Sequence, residues 1–195
     1  MSPQVNNVAS VLDQPLYDTV HLAAAAGPLV YRFFSVPQGG ILTGVIPKTV
    51  MHTNLVQAGQ LEQGVTFNIT ALTMTVRQHE KAAAVAPTQA DYTILQDGLI
   101  TVDVSDRNWG RFPVSLIPSG GGELYFSSDG AAFAGPAVAQ ISKGIPATAN
   151  KYNLQYPIPL GVQENFSVSL HIDGTIAAVM DVMFFLHGAY VRSVA

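Results

Sequence analysis

Five histidines, His21, His52, His79, His171 and His187, are the side chains here best suited to hold a metal or move a proton near neutral pH. No two of them stand at His-x-His or His-x-x-x-His spacing, and His-Glu-x-x-His is absent. A metal site between paired strands would need such a cluster with a nearby Glu. His171 alternates outward from an apolar strand pattern, which predicts exposure. His187 sits inside an apolar run and is the less ordinary of the five. The chain has no cysteine, which excludes thiolate ligands, disulfides and a Cys nucleophile. Gly-x-Ser-x-Gly is missing, so the hydrolase nucleophile turn is missing too. The Gly120–Gly122 run lacks the Lys of a phosphate-binding loop and reads as a turn.

Carboxylates are equally sparse. Asp97, Asp103 and Asp106 gather near Arg107, and oxygen ligands at short spacing suit Ca²⁺. Their spacing does not fit the twelve-residue calcium loop, so a solvated turn is the reading preferred. Asn68-Ile69-Thr70 and Asn165-Phe166-Ser167 match the glycosylation pattern but fall in predicted strands, as chance matches do. Trp109, the only tryptophan, lies in a turn-like stretch from Asp106 to Arg111. It reads as a plug for the end of a β-sandwich ahead of an interface anchor. No catalytic, cofactor-binding or metal-ligating residue is assigned. No cofactor is expected, and the chain does not read as an enzyme.

The composition points instead to assembly. Of 195 residues, 48% are hydrophobic and 11% charged, with a formal net charge of −4. An average domain carries roughly 25% charged residues. A surface so neutral has little electrostatic protection against association, which suits a subunit whose faces are covered by neighbours. The nine Lys and Arg are scattered singly, and clustered cations are what phosphate binding requires. Residues 1–15 lack the basic and apolar regions of a secretory signal, and no apolar tract reaches the roughly 18 residues of a membrane span.

The elements that must position these residues are strands. Phe166, Val168, Leu170 and Ile172 alternate with polar residues, as do Ile100, Val102 and Val104. Val65, Phe67 and Ile69 alternate in one parity and Leu72, Met74 and Val76 in the other. That change predicts a bulge near Thr70 and Ala71. Leu29–Val36 and Met180–Arg192 are largely apolar and do not alternate, as in strands covered on both faces. Leu16–Leu22, Arg111–Ile117 and Glu123–Ser127 complete about eight strands. One short helix is expected over Gln78–Ala86. Pro37–Gly64 and Ser128–Lys151 read as long loops, the first crossing between sheets.

This pattern predicts an all-β, single-domain β-sandwich, an eight-stranded jelly roll, over residues 16–195, preceded by an N-terminal arm over 1–15. The strand entry Leu160–Val168 (LGVQENFSV) and the ending Phe185–Arg192 (FLHGAYVR) resemble the single jelly-roll capsid proteins of tailless icosahedral viruses, bacteriophages among them. The resemblance spans the pattern of residues 16–195. It implies a structural virion protein, a shell or vertex subunit whose partners are copies of itself and other virion proteins. The arm has no basic residue, so it is not expected to bind the genome. On this reading residues 1–15 and Gly130–Ser142 lie at subunit contacts. The alternative is a carbohydrate- or receptor-binding β-sandwich module.

Overall fold

A computed structural model describes residues 10–44, 46–78, 94–119, 124–128, 138–142 and 149–192. Strand β1 spans Ser10–Asp13, β2 Leu16–Leu22, β3 Leu29–Phe33, β4 Ile41–Thr43, β5 Ile46–Pro47 and β6 Val65–Gln78. Then come β7 Leu99–Val104, β8 Arg107–Pro113, a 3₁₀ turn Val114–Leu116, β9 Leu124–Ser128, β10 Val138–Ser142, β11 Tyr152–Leu160, β12 Phe166–Ile172 and β13 Met180–Arg192.

Nine of these form two antiparallel sheets. The first has the order β2-β13-β6-β11, with β1 also on β13, and the second the order β3-β12-β7-β8. The pairs β2/β13, β3/β12, β6/β11 and β7/β8 are successive rungs of one long antiparallel ribbon, rolled so that β13 meets β6 and β12 meets β7. That winding is a jelly roll. The ribbon turns back on itself at Ser105 and Asp106, whose φ values of 46° and 64° make the tight left-handed pair that a two-residue hairpin needs.

The alternation read in the sequence decides what faces inward. Phe67, Leu72, Met74, Val182, Phe184 and Leu186 of the first sheet meet Phe33, Ile100, Val102, Val168 and Leu170 of the second in one buried cluster. Phe33 and Phe184 touch across the gap with ring centroids 5.4 Å apart. Each such side chain contributes about 1.5–3 kcal/mol by leaving water, so the core holds the two layers together.

The predicted parity change is a bulge. His187 pairs with Ala71 and Gly188 with Ile69, which leaves Thr70 unmatched. A Cβ at position 188 would stand 1.9 Å from the Asn68 carbonyl oxygen, so the close approach of β6 and β13 requires glycine there.

Several expectations shift. Residues 10–13 of the segment read as an arm are an edge strand, Ser10–Asp13 against Ala189–Arg192. The reason is length: β13 runs past the end of β2, and its free backbone groups take β1 as partner. Residues 1–9 lie outside the described residues. The strand read as Arg111–Ile117 starts earlier, at Arg107, because the hairpin needs only two turn residues; its last part is the 3₁₀ turn. β10 lies within the segment read as a loop and pairs with β9, and β11 falls where no strand was expected. Gln78 ends β6, and the remainder of the expected helix, 79–86, lies outside the described residues, as does 130–137. Pro37–Gly64 does cross between the sheets, from β3 to β6, and carries the β4–β5 hairpin.

Candidate functional site

The structure scatters the histidines. His21 Nδ1 lies 2.9 Å from Asp181 Oδ1, a cross-strand pair on the outer face of the first sheet. His52 Nδ1 accepts the Thr49 N–H at 3.1 Å in the segment after β5. His171 is half-buried, not fully exposed as its alternation suggested, because Thr101 Oγ1 lies 3.2 Å from its Nε2 across the strand pair. His79 lies outside the described residues. Among the described residues no three His, Asp or Glu side chains gather as metal ligands.

His187 sits beside Thr73, whose Oγ1 is 2.9 Å from Nε2, and its ring stacks on Phe185. Burial holds its imidazole down at about 4; Lys151 lowers it further, and Asp13 opposes both. The ring is neutral at ordinary pH, a structural histidine at the bulge.

Asp103 does not join Asp106 around a cation site. Its Oδ1 accepts Asn108 Nδ2 at 2.8 Å, and Asp106 is in the hairpin turn. Glu164 accepts both Ser105 Oγ at 2.7 Å and the Gly161 N–H at 2.7 Å, and these bonds hold its carboxyl below the usual range. Trp109 is a bulged residue in β8 instead of a loop residue, since Gly110 pairs with Val102 and Asn108 with Asp103. Its ring packs against the core, with the Arg107 guanidinium 4.6 Å above it. Asn68 and Asn165 are exposed, and Asn165 Oδ1 accepts Gln60 Nε2 at 2.6 Å.

One charged group went unnoticed in the sequence. Asp18 is fully buried, and its Oδ1 lies 2.6 Å from Lys48 Nζ, itself 4% exposed. The other oxygen accepts the N–H of Phe34 at 2.6 Å, where Phe34 takes a φ of 61°. Burial pushes the Asp18 carboxyl up; Lys48, the Phe34 N–H and the Thr53 hydroxyl pull it back. The signal was available: Asp18 stands on the inward parity of Leu16, Val20 and Leu22. The pair ties β2, the end of β3 and the segment after β5 together.

A cavity of about 270 Å³ opens between β1 and the segment Asn54–Glu62. Leu16, Leu61 and Val65 form its apolar wall, and the Arg192–Glu62 pair, 2.6 Å apart, is part of its lining. The Tyr190 hydroxyl in it accepts Asn54 Nδ2 at 3.4 Å, and burial raises its pKa well above the usual range. Near this corner Val11 and Leu12 of β1 are 65% and 53% exposed.

The fold is an all-β jelly-roll domain, and its described polar pairs, Asp18–Lys48, His21–Asp181 and Asp103–Asn108, join neighbouring strands and loops. Comparison with protein-family models, curated proteins and solved structures finds no match in any of the three. No helix among the described residues is long and apolar enough to cross a membrane.

Proposed function

We propose that this chain is a structural subunit of an icosahedral virion, a shell or vertex protein that assembles with copies of itself and with other virion proteins. One observation carries the reading. Large apolar side chains stand exposed at or beside all four sheet edges: Val11 on β1, Val30 on β3, Tyr156 on β11 and Leu116 just past β8. Sheet edges in monomers are normally guarded by charges, and a chain with 11% charged residues has few to spend there. Pro157 and Pro159 block strand addition at β11, so association there runs through side chains. Val50 and Met51, 61% and 66% exposed, add an apolar tip after β5. The jelly-roll winding supports the resemblance to tailless-phage capsid proteins.

The test is the particle mass of the purified full chain by multi-angle light scattering, with negative-stain microscopy of the same sample. Closed shells, rings or regular pentamers are expected, and Val11→Asp with Tyr156→Ser should shift them toward smaller species. A 20.7 kDa monomer at every concentration up to the solubility limit overturns the reading.

A further inference from the structure

We infer that the outer face of the β3-β12-β7-β8 sheet binds an anionic saccharide, held between Arg32 and Arg111. Three other cations among the described residues are engaged: Lys48 is paired with Asp18, Arg192 with Glu62, and Arg107 lies on Trp109. Arg32 and Arg111 are exposed, and among the described residues neither has an ion pair or a side-chain hydrogen bond.

The register puts these two on one row. Arg32 pairs with Ser169, Ser169 with Thr101, and Thr101 with Arg111. Three strand spacings separate the arginine Cα atoms by roughly 14 Å, within reach of two long side chains bending toward a shared ligand. Between them the floor is Ser169, only 7% exposed, and Thr101, whose hydroxyl meets the His171 ring. The carboxylate on this face, Asp103, is held by Asn108 on the neighbouring row.

The chemistry of the row selects the ligand. Guanidinium forks match carboxylate and sulfate oxygens in paired hydrogen bonds. The half-buried Thr101 hydroxyl between them can pair with a sugar hydroxyl, and the His171 ring lies on the adjoining row. Nucleic acid would call for clustered cations and aromatic rings for base stacking. This row offers two spaced cations and no aromatic ring. The inference stands whether or not the chain assembles.

A heparin-derived hexasaccharide is titrated into the full chain by calorimetry and amide-shift NMR, with maltohexaose as the uncharged control and hexathymidylate as a competing polyanion. Expected are binding that weakens with salt, shifts at Ser169 and Thr101, and none with maltohexaose. Arg32→Ala and Arg111→Ala should each weaken binding about 10-fold, with unchanged melting temperatures, while Arg192→Ala should not. Absence of binding at millimolar hexasaccharide, or equal binding by the double variant, overturns the proposal. Tighter binding of hexathymidylate through the same arginines also overturns it, in favour of a nucleic-acid face.

Discussion

The two sheets treat their outer faces differently. On the first, Thr19, Thr73, Met183 and Asp181 point away from the core, yet they are only 1%, 2%, 2% and 6% exposed. On the second, the equivalent positions include Val30, 55% exposed, and the open arginines Arg32 and Arg111. The free edge of β2 shows part of the cause. Residues 50–54 run along it: Tyr17 Oη donates to the Val50 carbonyl at 2.6 Å, Thr19 Oγ1 to the His52 carbonyl at 2.9 Å, and the Tyr17 N–H to Asn54 Oδ1 at 2.9 Å. Lys48 fixes the start of this segment from inside the sandwich. The first sheet is thus closed around β2 and β13, and the second keeps Val30, Arg32 and Arg111 open to water.

The contrast is broken most forcefully at Lys48. Lys48→Met leaves the Asp18 carboxylate buried without its ion and should cost about 3–5 kcal/mol in urea unfolding at neutral pH. The matching Arg32→Met on the open face should stay within about 0.5 kcal/mol. A loss under about 1 kcal/mol at Lys48 would remove the pair from its role as anchor.

The next effect is pH-dependent. His187 has a folded pKa of about 4, below the ordinary 6.5, so the unfolded chain binds its proton first as pH falls. Stability from this group is complete above pH 6.5, declines toward pH 4 and is flat below that. The size is on the order of 2 kcal/mol for a ring still partly in contact with water. Urea midpoints measured from pH 7 to 4 should fall less steeply in His187→Gln; superimposable profiles would show that the bulge does not read pH through this ring.

The smallest effect belongs to the open sheet. Thr101→Val removes a hydroxyl from a half-buried, outward position and should change the melting temperature by little, within about 0.5 kcal/mol of stability. A large loss there would mean that the second face is as sealed as the first.

The same contrast explains what could be read in advance. Phe166–Ile172 alternates because one of its faces is wet, and Met180–Leu186 is largely apolar because both of its faces are covered; Leu29–Phe33, expected to be covered in the same way, instead leaves Val30 and Arg32 exposed. Periodicity is a record of burial, so β12 and β13 were legible almost to the residue, as were β2, β7 and the bulge at Thr70. β1 was not, because all four of its residues are exposed and carry no pattern. β11 was hidden by its prolines and by the register break between Asn153 and Ile158.

By itself the sequence determined the class of fold, the neutral surface, the lack of thiol chemistry and the inward stripe of most strands, because these follow from composition and from a two-residue period. Tertiary structure alone decided which rows of side chains meet. Asp18 and Lys48 are 30 residues apart, and His21 and Asp181 are 160 apart. Arg32 and Arg111 become the ends of one row only through the registers of three strand pairs. Register is set by how the whole ribbon rolls and packs, a long-range outcome that no local period encodes.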